Sequence, residues 1–143
     1  MLQEVLVYLK ALSEYYKTAH WQTKGQLFYS DHLLLDRLSS EAKVNIDTLA
    51  EKMIGTGVSP ESLNLTDILK KQYEIIKGLP YNSPDNSTYF QASLVCENRL
   101  LEICKAIDSS PETSVGVKNL IAQIADDSEG RIYLLKQRLN SKK

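Results

Sequence analysis

The chain has 143 residues and a mass of 16.2 kDa, with 43% hydrophobic and 24% charged residues, which excludes collagen-like, disordered and disulfide-scaffold classes. No apolar run approaches the ~20 residues of a membrane span, and a net charge of −1 with a pI of 6.1 sets up no field drawing the whole chain to nucleic acid. One domain over residues 1–143 is expected, since a chain of this size buries roughly two-thirds of its unfolded surface without a staple.

Hydrophobic spacing is helical almost throughout. Leu2, Val5, Leu6, Leu9, Leu12, Tyr16 and Ala19 follow the three-four rhythm of a first helix that runs to about Thr23 and ends in the Lys24-Gly25 turn. A second helix opens near Ser30-Asp31, a cap followed by an acid in the first turn. It continues through Leu35, Leu38, Ala42, Ile46, Leu49 and Met53 to Gly55-Thr56-Gly57. Ser59-Pro60-Glu61 reads as a turn or cap. Thr66 to Lys77 reads as a short helix closed by Gly78-Leu79-Pro80. After a loop from Tyr81 to Asn86, a third long helix runs from about Ser87 through Ile107 to a break at Asp108–Pro111. The last spans Thr113 to Leu139, with Gly130 inside it. The pattern is all-α: a ferritin-like four-helix bundle, with a short extra helix in the long crossover between the second and third long helices.

Cys96 and Cys104 lie eight apart on one helix, about 12 Å along its axis and too far for a mutual disulfide. They read as buried thiols of a reducing cytoplasm, and Met1–Lys10 shows no cleavable signal, because Glu4 and Lys10 interrupt any apolar core. A cytoplasmic protein with no membrane partner is therefore expected. Arg131, Lys136, Arg138, Lys142 and Lys143 cluster near the C-terminus, where cations offset a helix dipole or touch phosphate.

The chain has two histidines, His20 and His32. On a wheel with Leu35 at 0°, the second helix places Leu38, Ala42, Ile46, Leu49 and Met53 on the core face, and His32, Asp36, Asp47 and Glu51 at about 60°, 100°, 120° and 160°. Leu33, Val44 and Ile54 flank this second line, while Arg37, Ser39, Glu41, Asn45, Thr48 and Lys52 fill an arc expected to face water. His32/Asp36 and Asp47/Glu51 are i, i+4 pairs, each able to chelate an ion. Imidazole with carboxylate suits iron, zinc or another divalent metal. The pairs are ~16 Å apart along the axis, so no single ion reaches both. An antiparallel second copy would bring His32/Asp36 of one chain to Asp47/Glu51 of the other, and the spacing predicts a two-fold dimer with two equivalent metal centres. Ordinary surface charges, with His32 a cap or core residue, remain the alternative. His20, at the end of the first helix and next to Trp21, can join the same cluster.

His20-Trp21-x-x-Lys24-Gly25-x-x-Phe28, His32-x-x-x-Asp36 and Asp47-x-x-Ala50-Glu51-Lys52 resemble the mini-ferritins called Dps, DNA-binding proteins from starved cells. Spacings of 12, 4, 11 and 4 between His20, His32, Asp36, Asp47 and Glu51 match that family's ligand pattern over Tyr16 to Gly57. The last helix departs from it, with Tyr133 where the family commonly has tryptophan.

The resemblance implies a ferroxidase centre between two-fold-related subunits of a homo-oligomer, a hollow dodecamer. Asp47 and Glu51 of one chain with His20 of the other would hold the tighter iron, and His32 and Asp36 would complete a weaker position. Family members oxidise Fe(II) there, preferring hydrogen peroxide, and store Fe(III) oxide. Trp21 would intercept stray oxidising equivalents or serve as a packed aromatic anchor. An intra-chain ferritin centre needs Glu-x-x-His on two helices, yet Lys17 and Tyr29 stand three before the histidines. Asp126, Asp127 and Glu129 read as solvated or pore-lining acids. DNA binding is expected to be weak or absent, because the chain starts at its first helix, with Lys10 its earliest cation and only Ser141-Lys142-Lys143 as a tail. A non-catalytic or vestigial metal-binding dimer and a DNA-compaction protein are the rival readings.

Overall fold

The protein is described from a computed structural model over residues 1–140; Ser141, Lys142 and Lys143 lie outside the described residues. Helix α1 spans Leu2–Gln22, α2 Phe28–Lys43, α3 Ile46–Gly55, α4 Leu65–Ile76, α5 Ser87–Ser109 and α6 Val115–Asn140. The apolar rhythm of the sequence is the core. Val5, Leu6, Leu9, Leu12, Tyr16 and Ala19 of α1 are buried with Leu35, Leu38 and Ala42 of α2, and with Leu49 and Met53 of α3. Phe90, Leu100, Ile103 and Ile107 of α5 and Ile121, Ile124 and Leu135 of α6 close the other side. The hairpins α1/α2 and α5/α6 pack on each other through α1 and α5. The long crossover between them carries α4, which lies along α1. This is a four-helix bundle with a single long connection, the ferritin-like arrangement.

The crossover is built from capped turns, as its sequence suggests. Ser59 Oγ accepts the Glu61 N–H at the start of a short 3-10 turn, Pro60–Leu63, whose first residue is proline. Asn64 Oδ1 caps α4 by accepting the Asp67 N–H at 3.0 Å.

Four expectations are corrected. The second long helix is not continuous: it breaks at Val44–Asn45, where the Val44 N–H turns back to Glu41 O and a new helix starts at Ile46. Asn45 is responsible, because its side chain is buried against α6, donating Nδ2 to Asp127 Oδ2 at 2.8 Å. Ser39 is likewise buried rather than water-facing, its hydroxyl donating to Ser13 O at 2.7 Å. Third, α2 begins at Phe28, so Ser30 lies within its first turn instead of capping it, while Asp31 is a first-turn acid as expected, and buried. Fourth, Arg131 and Arg138 of the basic C-terminal cluster are committed to ion pairs with Glu97 and Asp31 rather than to a helix dipole or a phosphate.

The Glu97–Arg131 pair lies in the bundle core, with Glu97 0% and Arg131 1% exposed. Arg131 donates Nε to Glu97 Oε2 at 2.6 Å and Nη2 to Oε1 at 3.0 Å, while Tyr16 Oη and Ser128 Oγ donate to the same carboxylate at 2.6 and 2.7 Å. Four donors on one carboxylate satisfy what burial would otherwise make prohibitive. Burial, reinforced by the Glu97 charge, holds the Tyr16 phenol well above its ordinary pKa. Cys96 and Cys104 are free and buried, and desolvation pushes both thiols up to about 11. No helix of the described residues is long and apolar enough to cross a membrane.

Candidate metal centre

The turn between α1 and α2 brings the two histidines together. α1 stops when Thr23 goes extended, its hydroxyl donating back to His20 O at 3.1 Å. Gly25 then takes a φ of +87°, a left-handed conformation that glycine adopts without the usual Cβ penalty. The chain reverses, Phe28 N–H closes on Gly25 O at 3.1 Å, and α2 runs back along α1.

Across this hairpin the imidazoles of His20 and His32 stack, with centroids 3.7 Å apart and planes 17° from parallel. His20 Nδ1 lies 2.6 Å from His32 O, and His32 Nδ1 lies 2.8 Å from His20 O. A carbonyl oxygen only accepts, so each Nδ1 carries the proton and each Nε2 of the neutral ring keeps its lone pair. A hydrogen bond that fixes the tautomer in this way prepares an imidazole to ligate a metal. Phe28, one turn before His32, extends the stack at 4.8 Å and 24°.

Asp36 follows His32 by one turn, and its carboxylate is engaged by Lys17 Nζ. This hydrogen bond is the main reason the Asp36 carboxyl is held below the usual carboxylate range, with smaller contributions from the nearby imidazoles. His20, His32 and Asp36 therefore share one end of the α1/α2 hairpin. Asp47 and Glu51 stand one turn apart on α3, exposed and beyond the break. Among the described residues, no three His, Cys, Asp or Glu side chains form a group able to hold a metal ion. Trp21 is 69% exposed and so is not a packed anchor within the chain.

The bundle interior is closed to metal by its own side chains. The core-facing i, i+3 pair on α6 is Ser128-x-x-Arg131, where a core metal site would place Glu-x-x-His. The one buried carboxylate there, Glu97, is neutralised by a guanidinium. Asp126 and Glu129 are exposed along an open groove of about 800 Å³ shared with Arg37 and Glu41. Asp127 is engaged by Asn45 and Gln123. Two further features went unread in the sequence: the pairing of Lys17, three residues before His20, with Asp36, and the partners of Asp31, which have no local signal.

Two solved structures share this architecture. A Dps from Microbacterium arborescens in its high-iron form superposes with a TM-score of 0.82 over 97% of this chain and 90% of that one, at 22% identity. The Dps from Thermosynechococcus elongatus gives 0.80 over 96% and 87%, at 21% identity. The chain has the Dps fold. No protein-family model matches it, and no curated protein matches it. On the Dps fold, the histidine pair occupies the α1/α2 turn and the Asp47/Glu51 pair the last part of the second long helix.

Proposed function

We infer that this chain is a mini-ferritin that oxidises Fe(II) at centres built between two-fold-related copies and stores the Fe(III), removing the reactants of oxidative damage. The observation that carries the reading is the histidine pair: two rings fixed on each other's carbonyls, both Nε2 lone pairs left for a metal, with Asp36 beside them. One chain supplies this half-set, and a second copy supplies Asp47 and Glu51. Trp21, Leu33, Val44 and Ile54, all exposed around these residues, fit an apolar face that a partner copy covers.

Iron is the substrate here. Two ferrous ions side by side deliver two electrons to one peroxide, H2O2 + 2 Fe2+ + 2 H+ giving 2 Fe3+ + 2 H2O, so no one-electron hydroxyl radical is released. The carboxylates favour the Fe(III) product as hard anionic oxygen donors. The exposed Trp21 indole stands where it could be oxidised in place of other targets if a stray equivalent escapes.

Peroxide-dependent Fe(II) oxidation tests this, with light scattering to read assembly. Asp47→Ala and Glu51→Ala are expected to abolish rapid oxidation while leaving helicity unchanged. A cage of about twelve chains would elute near ~200 kDa and a lone dimer near ~32 kDa. Oxidation unchanged in both variants would remove the ferroxidase assignment, and a colourless dimer after iron loading would favour the non-catalytic reading.

A further inference from the structure

The residue before His32 is Asp31, an acid with 1% of its surface exposed. Arg138, 107 positions away near the end of α6, donates Nε to Asp31 Oδ1 at 2.7 Å and Nη2 to Oδ2 at 2.9 Å. Asn86, at the start of α5, donates Nδ2 to Asp31 Oδ2 at 3.0 Å. The same amide grips the α1/α2 turn, with Nδ2 donating to Lys24 O at 2.7 Å and Oδ1 accepting the Lys24 N–H at 3.1 Å. Arg138 is itself seated over the Phe90 ring of α5, 5.0 Å from its centroid.

A buried carboxylate costs several kcal/mol of desolvation, and a good partner geometry only offsets it. A helix start needs far less, since a serine or asparagine cap suffices. What this arrangement adds is register. Asp31 is one residue from His32, so holding its side chain inward fixes the rotation of the first turn of α2. Lys24 sits midway along the connection, so holding both its backbone polar groups fixes the path from His20 to Phe28. The reciprocal Nδ1–carbonyl bonds of the histidines need both settings at once, because each ring must reach the other residue's backbone.

We propose that Asp31, Asn86 and Arg138 are positioning residues for the histidine pair. By tying the α1/α2 turn to α5 and α6, they hold each Nδ1 on the opposite carbonyl and leave each Nε2 for a divalent cation. Cation binding at Nε2 rests on the proposed metal centre, whereas the tautomer is a property of the metal-free chain and stands apart from it.

The test compares Asn86→Ala, Arg138→Gln and the conservative Arg138→Lys with Arg99→Gln, which breaks the exposed Arg99–Glu102 pair. Long-range 1H–15N spectra of the histidines in metal-free protein at pH about 8, where an unperturbed imidazole is neutral, report the tautomer. Co(II) titration followed by absorbance reports cation affinity. Native protein and Arg99→Gln are expected to show both rings protonated at Nδ1. Asn86→Ala and Arg138→Gln are expected to show mixed tautomers and Co(II) affinity lower by roughly 10–100-fold. Arg138→Lys, which keeps the charge but loses the two-pronged geometry, is expected to fall between. A folded Asn86→Ala or Arg138→Gln that keeps the single tautomer overturns the proposal. Should Arg138→Gln fail to fold, Asn86→Ala decides, because it leaves the ion pair in place. If the tautomers mix in the clamp variants while His20→Ala leaves Co(II) binding unchanged, the clamp stands and the metal-centre reading falls.

Discussion

Replacing Arg131 by methionine removes the guanidinium from the bundle core and leaves Glu97 with the Tyr16 and Ser128 hydroxyls alone. Glu97 is 0% exposed, so water cannot substitute for the lost charge. Breaking one side of a buried pair costs about 3–5 kcal/mol. For a chain of this length that lowers the melting temperature by roughly 10–20 °C.

The double variant Glu97→Leu/Arg131→Met removes both charges and recovers most of the loss. The remaining cost is about 1–3 kcal/mol for the hydroxyls left without their acceptor, and adding Tyr16→Phe recovers part of that. Urea unfolding at fixed chain concentration reads all of these. Fe(II) oxidation by the double variant should match the native protein, because on the proposed mechanism no iron enters the bundle. An Arg131→Met cost under about 1 kcal/mol would refute the idea that Arg131 is what offsets the burial of the Glu97 carboxylate in the core.

Lys17→Ala is expected to free the Asp36 carboxylate and raise divalent-cation affinity several-fold at pH 7 in a Co(II) titration. Without Lys17 the Asp36 pKa rises toward its ordinary value, so protons compete at higher pH and the acid limit of binding moves up. Mixing a His32→Ala/Asp36→Ala chain with an Asp47→Ala/Glu51→Ala chain is expected to restore part of the oxidation rate, because complete half-sites meet at one of the mixed interfaces; no recovery in verified hetero-oligomers counts against a shared centre. Linear DNA is expected to run unretarded in a gel shift at physiological salt. Arg131 and Arg138 of the basic C-terminal stretch are held in ion pairs, and the whole chain carries a net charge of −1.

What the sequence made legible was local. Helix order, the crossover cap at Ser59, and the one-turn spacings His32/Asp36 and Asp47/Glu51 all depend on residues within a few positions of each other. The features it hid depend on distant partners. Asn45 breaks the second helix because Asp127, 82 positions on, takes its amide. Asp31 looked like an ordinary first-turn acid because nothing near it announces Arg138. Glu97 sits in an otherwise unremarked helical run, and its significance comes from Arg131, 34 positions later. The histidines are intermediate: their shared face was legible, but their stacking and crossed carbonyl bonds depend on how tightly Gly25 folds the turn.

These long-range pairs divide the molecule into two kinds of polar site. In the core, Glu97 meets a guanidinium of its own chain and all its oxygens are used, so the site is complete and needs nothing from outside. At the α1/α2 turn Nδ1 is bonded on both rings, while Nε2 has no hydrogen bond among the described residues. Asp47 and Glu51, at the far end of the same long helix, carry no hydrogen bond or ion pair among the described residues. On the proposed reading, the half-buried nitrogen donors at the α1/α2 turn and the exposed oxygen donors on α3 complement each other after a two-fold rotation. On the proposed reading, activity is then a property of the pair of chains. Any change that weakens self-association would lower the iron oxidation rate per chain even with all five ligands intact.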